Sequence, residues 1–208
     1  MHLRSDSFSP YDFFPARLCF GTHNPESHIA LSGNRNPHLA WDGAPAGTQS
    51  FVVLCVDVDV PSVGDNVNQE GKTVSIDLPR VDFFHWVLCD LPASVNEIAE
   101  GAHSDGITAK GKAPGPSAQG GVQGINDYTS WFAGDADMGG DYGGYDGPCP
   151  PWNDERVHGY RFQVFALDTP SLGLSGAFSG HDVRAAMQGH VLAKGELTGL
   201  YTTARPCG

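Results

Sequence analysis

Apolar residues gather in short stretches, each closed by residues that favour turns. Phe51–Val56 is uninterrupted and runs into Asp57-Val58-Asp59-Val60-Pro61. Phe83–Leu91 and Val157–Leu167 are longer and rich in aromatic and β-branched side chains. These lengths and compositions predict three strands. Leu39–Trp41, followed by Gly43, Pro45 and Gly47, predicts a short strand entering a turn. A helical signal occurs only near the C-terminus. There Ser179 and Asp182 have capping spacing, and Val183, Ala186, Met187 and Val191 recur at helical intervals, with Gly189 interrupting. Strands first and a helix last, without βαβ alternation, predict a mostly β protein. The expected architecture is an antiparallel, sandwich-like sheet with a C-terminal helix and long loops, forming a single domain over 1–208. The connections 62–82 and 93–145 are long enough to be read as mobile insertions.

Alternation along a strand decides which side chains share a face. On Phe83–Leu91, His85 falls with Phe83, Val87, Cys89 and Leu91, while Asp90 faces the other way. On the third strand His158 and Tyr160 fall with Phe162, Val164 and Ala166. On the first, Asp57 continues the face of Phe51, Val53 and Cys55. Each strand thus ends an apolar face on a titratable residue, which is the pattern of a shared pocket.

Charge narrows the function. The chain has 12 Lys and Arg against 24 Asp and Glu, a net charge of −12. That balance opposes binding to nucleic acid, which needs a basic face. Any anion site must therefore be built locally, from aimed N–H groups or a histidine. No apolar run approaches the ~20 residues of a membrane span. Met1–Phe20 carries Asp6, Asp12 and Arg17 and lacks the apolar centre of a secretory signal, so the expected location is the cytoplasm. The 5 cysteines, Cys19, Cys55, Cys89, Cys149 and Cys207, form no C-x-x-C pair and read as free thiols, not a disulfide or zinc framework.

Several segments together resemble one known family. Asp57-Val58-Asp59-Val60-Pro61-Ser62 resembles the D-P-D-x-P motif of the phosphatidylethanolamine-binding proteins, which include the Raf-kinase inhibitor proteins and bacterial relatives. Phe84-His85-Trp86-Val87 resembles the family's ligand-site histidine strand. Gly147-Pro148-Cys149-Pro150-Pro151 with His158-Gly159-Tyr160 resembles its G-P-x-P-P…H-R-Y segment. Asn36–Trp41 is similar to the S-P-x-L-x-W entry, and Gly189–Ala193 with Leu197, Gly199 and Tyr201 resembles the C-terminal helix of the bacterial branch. The resemblance covers about 33–203, in the family's order. It implies a pocket for a phosphate-type anion or phospholipid headgroup made by Asp57, His85, His158 and Tyr160, rimmed by backbone of Gly147, Pro148 and Cys149. His85, His158 and Tyr160 would bind the anion, with Asp57 positioning them. It further implies a non-enzymatic protein without cofactor or metal. A protein partner is a further expectation, and the oligomeric state stays open, a homodimer included. Two departures bear on the pocket: Val58 replaces the motif's middle proline, and Gly159 stands where the family has arginine.

Other readings use the same residues. A kinase- or protease-inhibiting interaction protein would use the pocket only to modulate partner binding. A metal-dependent hydrolase would use Asp57, His85 and His158 as two histidines and a carboxylate. No G-x-S-x-G supports a serine hydrolase. Asp135, Asp137, Gly140 and Asp146 fit part of a calcium-loop frame, but Gly139 and the missing terminal Glu favour a solvated loop. Tyr128, Trp131, Phe132, Tyr142 and Tyr145 either line a ligand mouth or pack the long loop onto the sheet.

Overall fold

The predicted strands form: those at Phe51–Val56 and Phe83–Leu91 extend beyond their apolar runs, and the third begins at His158. In the computed structural model, which describes residues 1–204, the elements are β1 (His2–Arg4), β2 (Gly21–Asn24), β3 (His28–Leu31), β4 (Leu39–Asp42), β5 (Ser50–Pro61), β6 (Arg80–Pro92), β7 (Glu97–Ile98), β8 (Gly115–Pro116), β9 (Val122–Gln123), α1 (Tyr128–Trp131), β10 (His158–Leu167), α2 (Gly180–Ala186) and β11 (Val191–Tyr201). The main sheet runs β11-β10-β5-β6-β9-β8, with every pair antiparallel. A smaller sheet, β1-β4-β7, covers one of its faces, and β2-β3 is a separate hairpin.

Alternation on β5 and β10 divides the core as expected. Phe51, Val53 and Cys55 meet Phe162, Val164 and Ala166 beneath the small sheet's Leu3, Leu39, Trp41 and Ile98. Val52, Leu54 and Val56 face the other way, with Phe165 and Leu167, under Val183 and Met187 of the α2 region.

Strand β6 departs from simple alternation. Cys55 pairs with Trp86 and Val56 with Phe84, so His85 is an extra residue without a partner on β5. The bulge puts Trp86 and Leu88 in the first core and sends Val87 and Cys89 to the second, contrary to the face assigned to them from sequence. A second irregularity, between Phe51 and Val53, restores Leu91 to the first core. Bulges of this kind commonly sit beside functional sites, because they re-aim a side chain.

The C-terminal prediction needs correction. Helix α2 does start on a capping box, with Ser179 Oγ accepting from Asp182 N–H and the Asp182 carboxylate accepting from Ser179 N–H. It ends at Ala186, Gly189 turns the chain at φ +83°, and Val191–Tyr201 is a strand where the family resemblance implied a helix. Pairing with β10 along its whole length decides the matter, since tertiary hydrogen bonding overrides a weak local preference.

The connections read as mobile insertions are tied down. Asn153 Nδ2 donates to the carbonyls of Asn66, Gln69 and Lys72, and Arg156 donates to Ile76 O. The 93–145 connection carries β7, β8, β9 and α1, and its Gly124 N–H donates to Val87 O of β6. Cys55, Cys89 and Cys149 are free thiols, as expected; Cys207 lies outside the described residues. Among the described residues, no helix is long and apolar enough to cross a membrane.

Candidate functional site

Where β5, β6 and β10 run side by side, their polar ends converge. Tyr160 pairs with Asp57, and Asp57 with Phe83, whose ring lies tilted against that of His85 at 4.9 Å. A cavity of about 520 Å³ opens over them. Asp57, His85, His158 and Tyr160 all line it and all are buried, so the structure brings the four predicted side chains together. Phe20, Phe83, Tyr128 and Phe132 form aromatic walls, and Ile29 and Leu31 of the β2-β3 hairpin close another side. Pro61–Gly64 and Val67 add the 62–72 loop, so part of the connection read as an insertion is pocket wall. The aromatic cluster divides: Tyr128, Trp131 and Phe132 line the cavity, Tyr142 packs behind Tyr128 and Phe132, and Tyr145 is buried in the first core.

His158 is held at both ring nitrogens. Nδ1 donates to Asp57 Oδ2 at 2.7 Å, and Nε2 donates to Asp154 Oδ2 at 3.1 Å. Arg80 in turn clamps Asp154 through both guanidinium nitrogens, at 2.5 and 3.0 Å. Burial alone would favour neutral imidazole, but the two carboxylates outweigh it and raise the His158 pKa to about 9. Burial likewise pushes the Asp154 carboxyl up, and hydrogen bonds from His158 and Arg80 outweigh that, holding it at about 2. The chain Arg80–Asp154–His158–Asp57 therefore carries two positive and two negative charges and is balanced. His158 has no ring N–H left to offer an anion, a correction to its expected role as a direct ligand.

That imidazolium makes stability depend on pH. An unfolded imidazole titrates near 6.5, so the fold gains fully from His158 below pH 6.5 and loses that gain as pH rises toward 9. The loss is at most about 3 kcal/mol. Urea midpoints measured from pH 6.5 to 8, before unfolded thiols and phenols ionise appreciably, should already fall. A flat series there would show that His158 is neutral.

His85 differs from His158. Its Nδ1 donates to Asp146 O at 2.8 Å, and Asp146 N–H returns a bond to His85 O at 3.0 Å, so the bulged residue is clamped by backbone. Burial lowers its pKa, with Asp57, the Asp146 hydrogen bond and the Asp127 and Asp146 charges pulling the other way. The neutral ring thus presents Nε2 to the cavity as an acceptor, with no protein partner among the described residues. Beside it the Tyr160 hydroxyl is fully buried without a hydrogen-bond partner. Burial, then the nearby Asp57 charge and a contact with the Asp57 carboxylate too poorly aligned to be a full hydrogen bond, keep that phenol protonated as a donor.

The Gly147–Pro151 segment does less than its resemblance implied. Gly147 N–H donates to Asn34 Oδ1 at 2.7 Å, and its carbonyl accepts from Tyr128 at 2.8 Å. Pro148 O accepts from Phe20 and Gly21. Gly147 and Pro148 therefore support the wall from behind, while Cys149, Pro150 and Pro151 reach the cavity. Prolines carry no N–H, which leaves the Cys149 N–H as this segment's donor. The Cys149 thiol is pushed to about 12 by burial and stays protonated.

The two sequence departures are accommodated. Asp57 Oδ1 accepts from Asp59 N–H at 2.8 Å, holding the turn without a proline at Val58. Gly159 N–H donates to Asp59 Oδ2, and Arg156 Nη1 donates to Asp59 Oδ1 at 3.0 Å, supplying a cation three residues before the vacated arginine position.

Sequence reasoning missed Arg80, Asp154, Arg156, Asn34, Asn126, Asp146 in its actual role, and Lys112. Only Asp154, four residues before His158, carried a local signal. Asp146 belongs to no calcium loop: it is buried, and its carboxylate accepts from Asn34 and Asn126. Asp135 instead accepts from Asp137 and Met138 N–H. Among the described residues no cluster of three or more His, Cys, Asp or Glu side chains is placed to hold a metal ion. The proposed triad fails because both His158 nitrogens already serve carboxylates.

The fold and pocket define an antiparallel β-sandwich with a polar-floored, aromatic-walled cavity. A family model described as phosphatidylethanolamine-binding protein matches residues 5–202, and the chain belongs to that family. A UPF0098 protein of Aquifex aeolicus is 33% identical over 184 residues, covering 87% of this chain and 82% of its own. YbhB of Escherichia coli is 31% identical over 169 residues, covering 81% and 82%. The crystal structure of E. coli YbcL, described as a new member of the mammalian PEBP family, superposes with a TM-score of 0.68 at 25% identity, covering 97% of each chain.

Proposed function

We propose that the cavity binds a phosphate-type anion carried on an apolar body, of which a phospholipid headgroup is one case, and that the protein acts by binding, not by catalysis. The observation that carries this reading is the Tyr160 hydroxyl, buried at the cavity floor without a well-formed hydrogen bond. Leaving such a donor unpaired costs about 1–3 kcal/mol, which a bound oxyanion would recover. His85 Nε2 offers a second donor once protonated, or accepts from an oxygen that the ligand keeps protonated. Either way one proton lies between His85 and the ligand. Because the Arg80–His158 chain is charge-balanced, hydrogen bonds at the floor, not net positive charge, hold the anion. The walls fit the rest: a cavity of about 520 Å³ is far larger than a phosphate, and its walls are mostly apolar. Exposed Leu31, Val63 and Trp131 extend that apolar surface to the mouth.

Titrating phosphoethanolamine calorimetrically from pH 5.5 to 8.5, in buffers of different ionisation heat, tests this. Saturable binding that weakens as pH rises, with uptake approaching one proton, is the expected result. Absence of binding at every pH would sink the proposal, and a flat profile without proton uptake would remove His85 from it.

A further inference from the structure

Behind His85 lies a second polar cluster, none of whose own side chains lines the cavity. Asp146 is buried, and its carboxylate accepts from Asn34 Nδ2 at 2.7 Å, Asn126 Nδ2 at 2.9 Å and Lys112 Nζ at 3.3 Å. Each carboxamide also reaches the pocket wall: Asn34 Oδ1 accepts from Gly147 N–H, and Asn126 Oδ1 accepts from Tyr128 N–H. The Asp146 backbone meanwhile holds His85 from both sides. Lys112 completes the cluster, donating also to Tyr145 O at 2.7 Å and Ser104 Oγ at 3.0 Å.

We propose that Lys112 is a positioning residue for the pocket, the counter-charge of the buried Asp146 carboxylate, whose backbone clamps His85 with Nε2 toward the ligand. Amides alone would leave the carboxylate an uncompensated buried charge. Lys112 comes from the 93–145 connection, so this gives that long segment a task in the site. The assignment rests on His85 being the pocket's proton-carrying group.

The charge at His85 is set by several neighbours. Asp57 faces it from β5, Asp127 from the turn before α1, and Asp146 from the segment behind; the rings of Phe83, Tyr128 and Tyr160 are uncharged. All three carboxylates favour the imidazolium. Lys112 is the cation bonded to this group, and removing it exposes His85 to the full field of Asp146.

The test is a histidine NMR titration without ligand, with the His85 signal identified by its absence in His85→Gln. Lys112→Met should raise the His85 midpoint by about 0.5–1 pH unit. Asp146→Asn should lower it, and Lys112→Arg should restore the wild-type value. A merely structural role would lower stability and leave the midpoint where it was; that result, in either folded variant, would overturn the proposal. If Lys112→Met does not fold, Asp146→Asn still decides, because an unmoved His85 midpoint there rejects the electrostatic link. Since no anion is added, failure here is distinct from failure of anion binding.

Discussion

Replacing Arg80 with Met is expected to cost about 3–5 kcal/mol of folding stability at pH 7, since it strips a buried carboxylate of one of its two cations and leaves the His158 pair with one negative charge in excess. Arg80 and Asp154 are 6% and 1% exposed in their side chains, so little solvent screens the pair. The guanidinium also donates to Asp59 O, Ser75 O and Leu78 O, tying β5 to the 62–79 connection. Methionine fills similar volume but satisfies none of these acceptors. The acid response should change too. Asp154 is held at about 2, so its contribution is complete above the ordinary carboxylate value near 3.8 and drains away as pH falls toward 2. Without Arg80 that loss should begin at higher pH. Urea denaturation at pH 7 and pH 4 measures both effects. Arg184→Met is the control: its pair with Asp82 is about one-third exposed on each side, and its loss should cost less than about 1 kcal/mol. Equal losses for the two variants would show that the Arg80 pair is not buried as described.

The second large effect concerns binding. His85→Ala removes the group that shares a proton with the ligand, and a hydrogen bond to a charged partner contributes about 1.5–3 kcal/mol, or roughly 10- to 150-fold in affinity. Phosphoethanolamine binding should fall by that factor and lose its pH dependence. Tyr160→Phe separates function from stability more sharply. The hydroxyl has no well-formed hydrogen bond to lose, so its removal should leave the urea midpoint nearly unchanged. Binding should nevertheless weaken about tenfold, the value of one hydrogen bond to an anion. If Tyr160→Phe destabilises the protein without affecting binding, the hydroxyl serves the fold and the floor of the pocket is assigned wrongly.

Much of the architecture could be read from residue pattern. The apolar runs of β5, β6 and β10, their alternation on β5 and β10, and the capping residues of α2 are local properties, written in adjacent side chains. Four pocket residues were legible for the same reason: Asp57, His85, His158 and Tyr160 lie at the ends of readable strands, inside motifs that resemble a known family. Where the reading failed, the missing information was never local. The strand Val191–Tyr201 has a sequence compatible with helix and is extended because β10 lies beside it. Val87 and Cys89 changed faces because one extra residue at His85 breaks the two-residue period, and a bulge is defined by two strands together.

The division is clearest at the two histidines, which alternation placed alike on buried faces and which the resemblance gave the same task. By itself the sequence determined that both would stand at one pocket. Only the tertiary structure decided that His158 is an imidazolium locked between Asp57 and Asp154, while His85 is a neutral ring with one nitrogen free. Protonation depends on the charges within a few ångströms, and those charges come from residues 4 to 101 positions away in the chain.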